Sequence, residues 1–128
     1  MTHLLDTHVL IWWIANDQRM SSHAREVLSD RSNRLLWSAA STWELAIKVS
    51  LGKLRLPESV GTFVERRLAQ NSIDVLQISH AHAAAVQELP YHHRDPFDRM
   101  LVAQAKSEQA RLLTGDPWVR AYGVDVAW

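Results

Sequence analysis

Residues 92–105 have the sequence HHRDPFDRMLVAQA, which predicts a helix that turns a carboxylate toward the protein core. Asp95 suits the N-cap position and Pro96 the first helical position. Asp98 suits the positive end of the helix dipole at N3, but it also shares one helix face with three apolar residues, which are Leu101, Val102 and Ala105. An ionised carboxylate on a core-facing stripe needs a partner, and no Lys or Arg lies on this stripe within the next turn. Its partner must therefore come from elsewhere in the chain.

Length and composition limit the possible functions. The 128 residues, 47% of them hydrophobic and 22% charged, predict one globular domain over residues 1–128. Fourteen basic residues balance fourteen acidic ones, so any contact with RNA requires a local basic patch. The absence of cysteine excludes disulfide and thiolate chemistry. An acidic residue at position 6 and the lack of a long apolar run predict no signal peptide or membrane span, so we expect a cytoplasmic protein.

Apolar runs alternate with amphipathic segments along the chain. Strands are predicted at 4–6, 35–38, 73–78, 111–114 and 124–127. Helices are predicted from Thr7, from a cap at Ser21 or Ser22, at 40–51, 57–70 and 80–89, from Pro96, and at 118–122. This alternation predicts an α/β fold, a three-layer α/β/α sandwich around a mainly parallel sheet of four to five strands.

Further acids occupy positions that favour convergence. Asp6 and Asp116 each follow a predicted strand, and Glu44 lies on the inner stripe of the 40–51 helix. The carboxyl ends of parallel strands meet at one sheet edge. Two of these acids have a second possible role: Asp6 also suits a helix cap, and Glu44 also suits a surface pair with Lys48. Carboxylates ~4 Å apart repel by about 4 kcal/mol at an effective dielectric near 20, so a cluster needs a cation, and oxygen ligands favour Mg²⁺ or Mn²⁺.

Four segments resemble motifs of one family. They are LLDTHVLIW at 4–12, STWELAIK at 41–48, HRDPFDRML at 93–101 with AQA at 103–105, and LTGD at 113–116. These segments resemble PIN domains, specifically the VapC-type toxins of prokaryotic toxin–antitoxin pairs. The resemblance implies a PIN-like fold and a metal-dependent endoribonuclease, usually a homodimer, that a cognate antitoxin inhibits. It also implies that the metal-binding and catalytic acids are Asp6, Glu44, Asp98 and Asp116.

Several neighbouring residues have more than one possible role. Asp95 suits a helix cap, a residue that orients a metal ligand, or a direct metal ligand. Three basic residues beside the acidic motifs suit either contact with substrate phosphates or the role of a plain solvated or paired charge; they are Lys48, Arg94 and Arg99. The hydroxyls of Thr7 and Thr114 suit either a place near the metal or a backbone hydrogen bond at a strand end.

Histidine and tryptophan add weaker signals. His92 and His93 are candidates for substrate contact, and His80 and His82 are expected to be solvent-exposed because they lie two residues apart on a helix. The core is the favoured location for all the tryptophans. Trp37 and Trp43 show no competing role, whereas three others are also candidates for an interface or base stacking, which are Trp12, Trp13 and Trp118.

The leading functional hypothesis is RNA cleavage by a metal-activated water in a toxin–antitoxin toxin. A catalytically silent PIN-like module that binds a partner protein is an alternative, but such a module has no need to maintain four mutually repelling acids. A Mg²⁺-dependent phosphoacceptor or phosphatase is a third hypothesis. Those designs usually carry a second acid close to the nucleophilic aspartate, whereas Asp6 is followed by Thr7 and His8.

Overall fold

A five-stranded parallel sheet forms the centre of the protein. The computed structural model describes residues 1–92 and 94–128, so the predicted substrate contact of His93 lies outside the described residues. The strands are β1 (Thr2–Leu5), β2 (Arg34–Ser38), β3 (Ile73–Leu76), β4 (Arg111–Leu113) and β5 (Val126–Ala127). Their order across the sheet is β3-β2-β1-β4-β5, with every neighbouring pair parallel. The predicted α/β fold is confirmed.

Helices cover both faces of the sheet. They are α1 (Thr7–Ile14), α2 (Ser22–Ser29), α3 (Ala39–Ser50), α4 (Val60–Gln70), α5 (His80–Ala85) and α6 (Pro96–Ser107), with 3₁₀ turns at Val86–Glu88 and Pro117–Tyr122. In the central strand, Leu5 packs with residues of α1, α2 and α4, while Leu4 packs on the other face with residues of α6. Burial on both faces explains why β1, β2 and β4 are built around apolar runs, whereas β3, at one side of the sheet, contains exposed Asp74. None of the helices in the described ranges combines the length and apolar character needed to cross a bilayer.

Most element boundaries lie close to the predicted ones, and the differences have local causes. The predicted strand at 73–78 ends at Leu76, because Leu76 pairs with Ser38 and β2 ends there as the chain enters α3. The helix predicted at 57–70 begins at Val60, and the one predicted at 80–89 passes into a 3₁₀ turn after Ala85. Ser21, rather than Ser22, caps α2 by accepting a hydrogen bond from the Ala24 amide.

Two predicted core tryptophans are on the surface. Trp37 is fully buried as predicted, but Trp43 is 59% exposed and Trp118 is also exposed. The core prediction was therefore wrong for Trp43 and Trp118. Trp43 lies on α3 next to the inner stripe rather than on it, because the stripe passes through Ala40 and Glu44. Its indole contacts the Phe97 ring edge-on at 5.1 Å, which leaves most of the side chain open to solvent.

The prediction that His82 is solvent-exposed was also wrong. His82 is buried, whereas His80 is exposed as predicted. The Ser79 amide donates to His82 Nδ1 at 3.1 Å, and His82 Nε2 lies 3.2 Å from a carboxylate oxygen of Glu108, the C-cap of α6. The histidine therefore closes a capping box and ties α5 to α6, a role that depends on the packing of the two helices.

Candidate active site

The sheet brings two acidic segments together. Leu5 of β1 pairs with Leu113 of β4, and the Asp6 amide donates to the Leu113 carbonyl at 3.0 Å, so the residues after the two strands lie side by side. A cleft of about 330 Å³ opens at this edge, and we call it the acidic cleft. Its lining residues are Asp6, His8, Trp12, Arg19, Asp95, Asp98, Gly115 and Asp116. Three of the four acids implied by the family resemblance therefore line one cleft.

Asp6 is a buried carboxylate with one satisfied oxygen. Only 9% of the residue is exposed, and Oδ2 accepts a hydrogen bond of 2.7 Å from the Thr114 hydroxyl. Oδ1 has no hydrogen-bond partner among the described residues, and the side chain does not cap α1. Burial raises the pKa of Asp6 and the charge of Glu44 adds to that effect, although the Thr114 bond and His8 oppose it. A buried carboxylate oxygen of this kind is suited to a cation.

Asp98 experiences the accumulated negative charge of the cleft. Burial, and then repulsion from Asp6, Asp95, Asp116 and Glu44, raises the pKa of Asp98 from 3.8 to about 8. Acids from four different segments of the chain therefore act on one carboxyl group. In the metal-free protein, Asp98 therefore keeps its proton to a higher pH than an ordinary aspartate does, and a bound cation would favour its ionised form.

Glu44 lies in an adjoining groove of about 550 Å³ beside α3, which we call the α3 groove. Its lining residues are His8, Glu44, Ile47, Lys48, Leu51, Lys53, Arg94, Asp95, Pro96 and Phe97. His8 and Asp95 also line the acidic cleft, so the two depressions are continuous. Lys48 Nζ lies 3.1 Å from Glu44 Oε2, which confirms the predicted pair. Glu44 is only 7% exposed, however, so its end of the pair is buried rather than on the surface.

Backbone caps hold the remaining acids in place. Asp95 accepts hydrogen bonds from the amides of Phe97 at 2.9 Å and Asp98 at 3.3 Å, which confirms its predicted N-cap role. Asp116 accepts from the Trp118 amide at 2.9 Å and so begins the 3₁₀ turn after β4. These caps fix the backbone that carries the carboxylates at the mouth of the cleft.

Two threonine hydroxyls connect segments of the site. Thr114 Oγ1 donates to Asp6 and accepts from the Asp116 amide at 3.1 Å, so it combines a contact at the acidic cleft with a backbone hydrogen bond. Thr7 Oγ1 instead donates to the Ser41 hydroxyl at 2.9 Å in the buried contact between α1 and α3. The sequence predicted either a place near the metal or a backbone hydrogen bond for Thr7, and a bond to the Ser41 side chain is neither of these.

The structure contradicts the predicted phosphate contact of Arg99. This residue is 5% exposed, and its guanidinium donates to the Pro90 carbonyl at 2.8 Å, the Leu89 carbonyl at 3.3 Å and the Tyr122 hydroxyl at 3.3 Å. Consecutive residues of a helix point about 100° apart. Arg99 therefore points away from the cleft that Asp98 lines and anchors the segment before α6. Lys48 and Arg94 do line the α3 groove.

The cleft residues fit a hard divalent cation in their chemistry, although not in their present spacing. Asp6 Oδ1 is buried without a hydrogen bond, and neighbouring negative charge raises the pKa of Asp98. Across residues 1–92 and 94–128, no three His, Asp or Glu side chains are close enough, as placed, to hold one ion. Binding therefore requires side-chain rotations that bring carboxylate oxygens together. Oxygen donors of this type suit Mg²⁺ or Mn²⁺.

Two features of the cleft escaped the sequence reading. Arg19 stands in a segment that shows only a break between two helices, yet it lines the acidic cleft. Gly115 leaves room for the Trp128 indole, because a Cβ atom there would lie 2.9 Å from Trp128 Cε2 and the indole would have to shift. The LTGD motif marks Gly115, but the indole that excludes a side chain comes from residue 128. No sequence signal marks Arg19.

The fold and the acidic cleft place this protein among the α/β proteins with a carboxylate site at the sheet edge. The family model of the PIN domain matches residues 3–123. The chain therefore belongs to the PIN domain family, and the resemblance in its motifs is confirmed. PIN-domain ribonucleases generally depend on divalent metal ions.

Curated relatives carry the name ribonuclease. The chain is 32% identical over 122 residues to Ribonuclease VapC22 of Mycobacterium tuberculosis, covering 94% of this chain and 92% of that protein. It is 40% identical over 63 residues to Ribonuclease VapC16 of the same organism. The second match spans 49% of this chain and less than half (45%) of VapC16.

Solved structures of toxin–antitoxin complexes share the fold. VapBC2 from Rickettsia felis, bound to a DNA fragment from its promoter, matches with a TM-score of 0.73 and 18% identity over 98% of this chain and 96% of that chain. VapBC-1 from nontypeable Haemophilus influenzae matches with a TM-score of 0.64 and 19% identity over the same shares, 98% and 96%. At these identities the likeness is one of fold.

Proposed function

We propose that this protein is a Mg²⁺- or Mn²⁺-dependent endoribonuclease that acts as the toxin of a toxin–antitoxin pair. The observation that carries the proposal is the acidic cleft, where Asp6, Asp98 and Asp116 meet beside a buried carboxylate oxygen that lacks a hydrogen bond. Membership of the PIN domain family and curated relatives named ribonucleases support RNA as the substrate class.

Each acid has a proposed role. Asp6, Asp98 and Asp116, with Glu44 from the adjoining groove, would hold the cation. A divalent cation held there supplies a water of lowered pKa and polarises a phosphoryl oxygen. Thr114 orients Asp6 through the 2.7 Å hydrogen bond. Asp95 begins α6 as its N-cap and thereby sets the position of Asp98.

Two basic residues would bind substrate phosphates. Lys48 and Arg94 line the α3 groove next to the acids, where they can offset the charge of an RNA strand crossing the cleft. Lys48 is paired with Glu44 at 3.1 Å, so its ammonium group lies beside one of the acids that would hold the cation. This placement supports substrate contact by Lys48 and Arg94, and Arg99 is withdrawn from the set.

RNA cleavage with controlled metal tests the proposal. Purified protein should cut single-stranded RNA with Mg²⁺ or Mn²⁺, stop when EDTA is added, and resume when metal is in excess. Asp6→Asn should reduce cleavage to the level of a no-enzyme control. Asp125→Asn is the matched control, because it makes the same charge change at an exposed position just before β5, at the opposite edge of the sheet. Cleavage that persists in EDTA or in Asp6→Asn would contradict the metal assignment.

The two aspartates of α6 can be separated by the same assay. We propose Asp98 as the ligand and Asp95 as the cap, because Asp95 Oδ1 accepts from the amides of residues 97 and 98, whereas Asp98 is the more buried of the two. Asp95→Asn should keep part of the activity, because Asn is also a good N-cap, whereas Asp98→Asn should lose it. The reverse order of activities would exchange the two roles.

The alternative functions predict different results. A silent binding module would leave RNA uncut at every metal concentration while the protein still bound a partner peptide. A phosphoacceptor would form an acyl-phosphate on Asp6, which mass spectrometry detects. Neither alternative has a specific observation in its favour.

Protein partners are part of the proposal. α3 and its C-cap expose three large apolar side chains at intervals of four residues, which are Trp43, Ile47 and Leu51. Exposed apolar surface of this kind is typical of protein contacts. We propose a homodimer and a cognate antitoxin that covers the acidic cleft, as the neighbouring toxin–antitoxin complexes suggest by their composition. Light scattering of the isolated chain tests the dimer, and Trp43→Ser should weaken it if α3 forms the contact.

A further inference from the structure

Arg19 is held in one orientation although it is largely exposed. Its side chain is 66% exposed, yet Nε and Nη2 donate to the two carboxylate oxygens of Asp17 at 3.1 and 2.8 Å. The guanidinium carbon also lies 4.7 Å from the centroid of the Trp12 ring. Such a two-pronged carboxylate contact together with a cation–π contact restricts the planar group far more than solvent alone would. Nη1 makes no hydrogen bond within the described part of the chain, so it remains available to a ligand.

The aromatic support beneath Arg19 is itself fixed. Trp12 stacks with His8, with centroids 5.7 Å apart and planes at 28°, and contacts Trp128 edge-on at 6.0 Å. Trp12 of α1 is half-buried and packs against the hydrophobic core on that face of the sheet. His8, Trp12 and Arg19 all line the acidic cleft. The cation therefore stands on a rigid wall of the cleft rather than on a free loop.

The charges around the cleft require such a cation. The acids that converge on Asp98 repel a polyanion, and the protein has no net positive charge to attract one. On one side, the continuous α3 groove carries three basic residues, which are Lys48, Lys53 and Arg94. Arg19 lies on the wall of the acidic cleft and does not line that groove. An RNA strand that crosses the acids therefore has a basic contact in the α3 groove and another in the acidic cleft.

We propose that Arg19 binds a backbone phosphate of single-stranded RNA adjacent to the phosphodiester that lies over the acids, with Asp17 and Trp12 as the residues that position it. This inference rests on the proposed ribonuclease function. It adds a substrate contact on the wall of the acidic cleft, whereas Lys48 and Arg94 line the α3 groove. A guanidinium suits this position because its planar fork can bind a carboxylate and a phosphate at the same time.

Binding and cleavage by three variants test the inference. The binding probe is a fluorescein-labelled single-stranded oligoribonucleotide of about ten nucleotides, titrated with protein that carries Asp6→Asn so that the strand stays intact. Arg19→Ala should raise the Kd roughly tenfold, and Arg19→Lys should restore part of the loss because it keeps the charge without the fork. Arg31→Ala is the matched control, since Arg31 is exposed and precedes β2 at the opposite sheet edge. Circular dichroism and thermal melting of each variant establish that it is folded.

The salt dependence separates a phosphate contact from a structural effect. Loss of one phosphate contact should reduce the slope of log Kd against log salt concentration by about 0.7 in Arg19→Ala and leave it unchanged in Arg31→Ala. In cleavage by the otherwise unaltered protein, KM should rise more than kcat falls. An unchanged Kd and slope in Arg19→Ala, or failure of the parent protein to bind the strand, would overturn the inference.

The two proposals fail in different ways. Arg19-dependent binding without metal-dependent cleavage would contradict the ribonuclease function and leave a phosphate-binding wall. Metal-dependent cleavage with Kd and KM independent of Arg19 would support the ribonuclease and refute the role of Arg19.

Discussion

Replacing Asp98 with Asn should stabilise the metal-free protein at high pH. In the folded protein, burial and neighbouring carboxylates raise the pKa of Asp98 to about 8, whereas the unfolded chain releases this proton near pH 3.8. The folded state therefore binds more protons than the unfolded state between these values, and its free energy of unfolding falls as the pH rises through that window. Asn carries no titrating group, so the Asp98→Asn variant lacks this decline.

The expected gain in the free energy of unfolding follows from the shift in the pKa of Asp98. At 1.36 kcal/mol per pKa unit, a rise from 3.8 to about 8 has an upper limit of roughly 6 kcal/mol. Asp98 is only half-buried, so solvent screens part of the repulsion, and we expect about 2–3 kcal/mol at pH 9. For a chain of this length, that corresponds to a rise in Tm of roughly 6–15 °C.

Urea unfolding in EDTA between pH 5 and 9 measures the effect. The gain of Asp98→Asn over the parent protein should already be present at pH 5, grow as the pH rises, and level off once the folded-state pKa of Asp98, at most about 8, is passed, while Asp125→Asn shows no such growth. Added Mg²⁺ should stabilise the parent protein and have little effect on Asp98→Asn. A difference that does not grow with pH, or an Asp98→Asn protein that is less stable at pH 9, would refute the electrostatic reasoning.

Three further predictions concern residues in or next to β1 and β4. Neither ring nitrogen of buried His3 has a hydrogen-bond partner in the described residues, so His3→Leu should raise the free energy of unfolding by about 1–2 kcal/mol at pH 7. Because burial lowers the pKa of His3 below 6.5, the parent protein should lose stability as the pH falls below 6.5, and urea unfolding at pH 5.5 should show a larger gain for the variant. Thr114→Val removes the hydrogen bond to Asp6 and should move the acidic limb of the pH profile of RNA cleavage to higher pH, with kcat/KM as the measurement. Gly115→Ala should cost about 1–3 kcal/mol in thermal unfolding, since its Cβ meets the Trp128 indole at 2.9 Å.

Local patterns in the sequence determined the fold class and the positions of the acids. Asp6 and Asp116 follow apolar runs, and parallel pairing of Leu5 with Leu113 then sets them side by side at the sheet edge. The spacing of Asp98 from Leu101 and Val102 depends only on helical periodicity, which is a property of the chain itself. For the same reason the cap at Asp95 was predictable from its own neighbours.

Only the tertiary structure decided which polar and aromatic side chains face solvent, protein or cleft. Arg99 follows Asp98 in sequence but is buried against the carbonyls of residues 89 and 90, and Trp43 is exposed beside the buried Glu44. Arg19 reaches the cleft because its loop folds back over Trp12. Such outcomes depend on contacts between different elements of the fold. Periodicity states which face of a helix is apolar, but the neighbour that meets each side chain is set by how the elements pack.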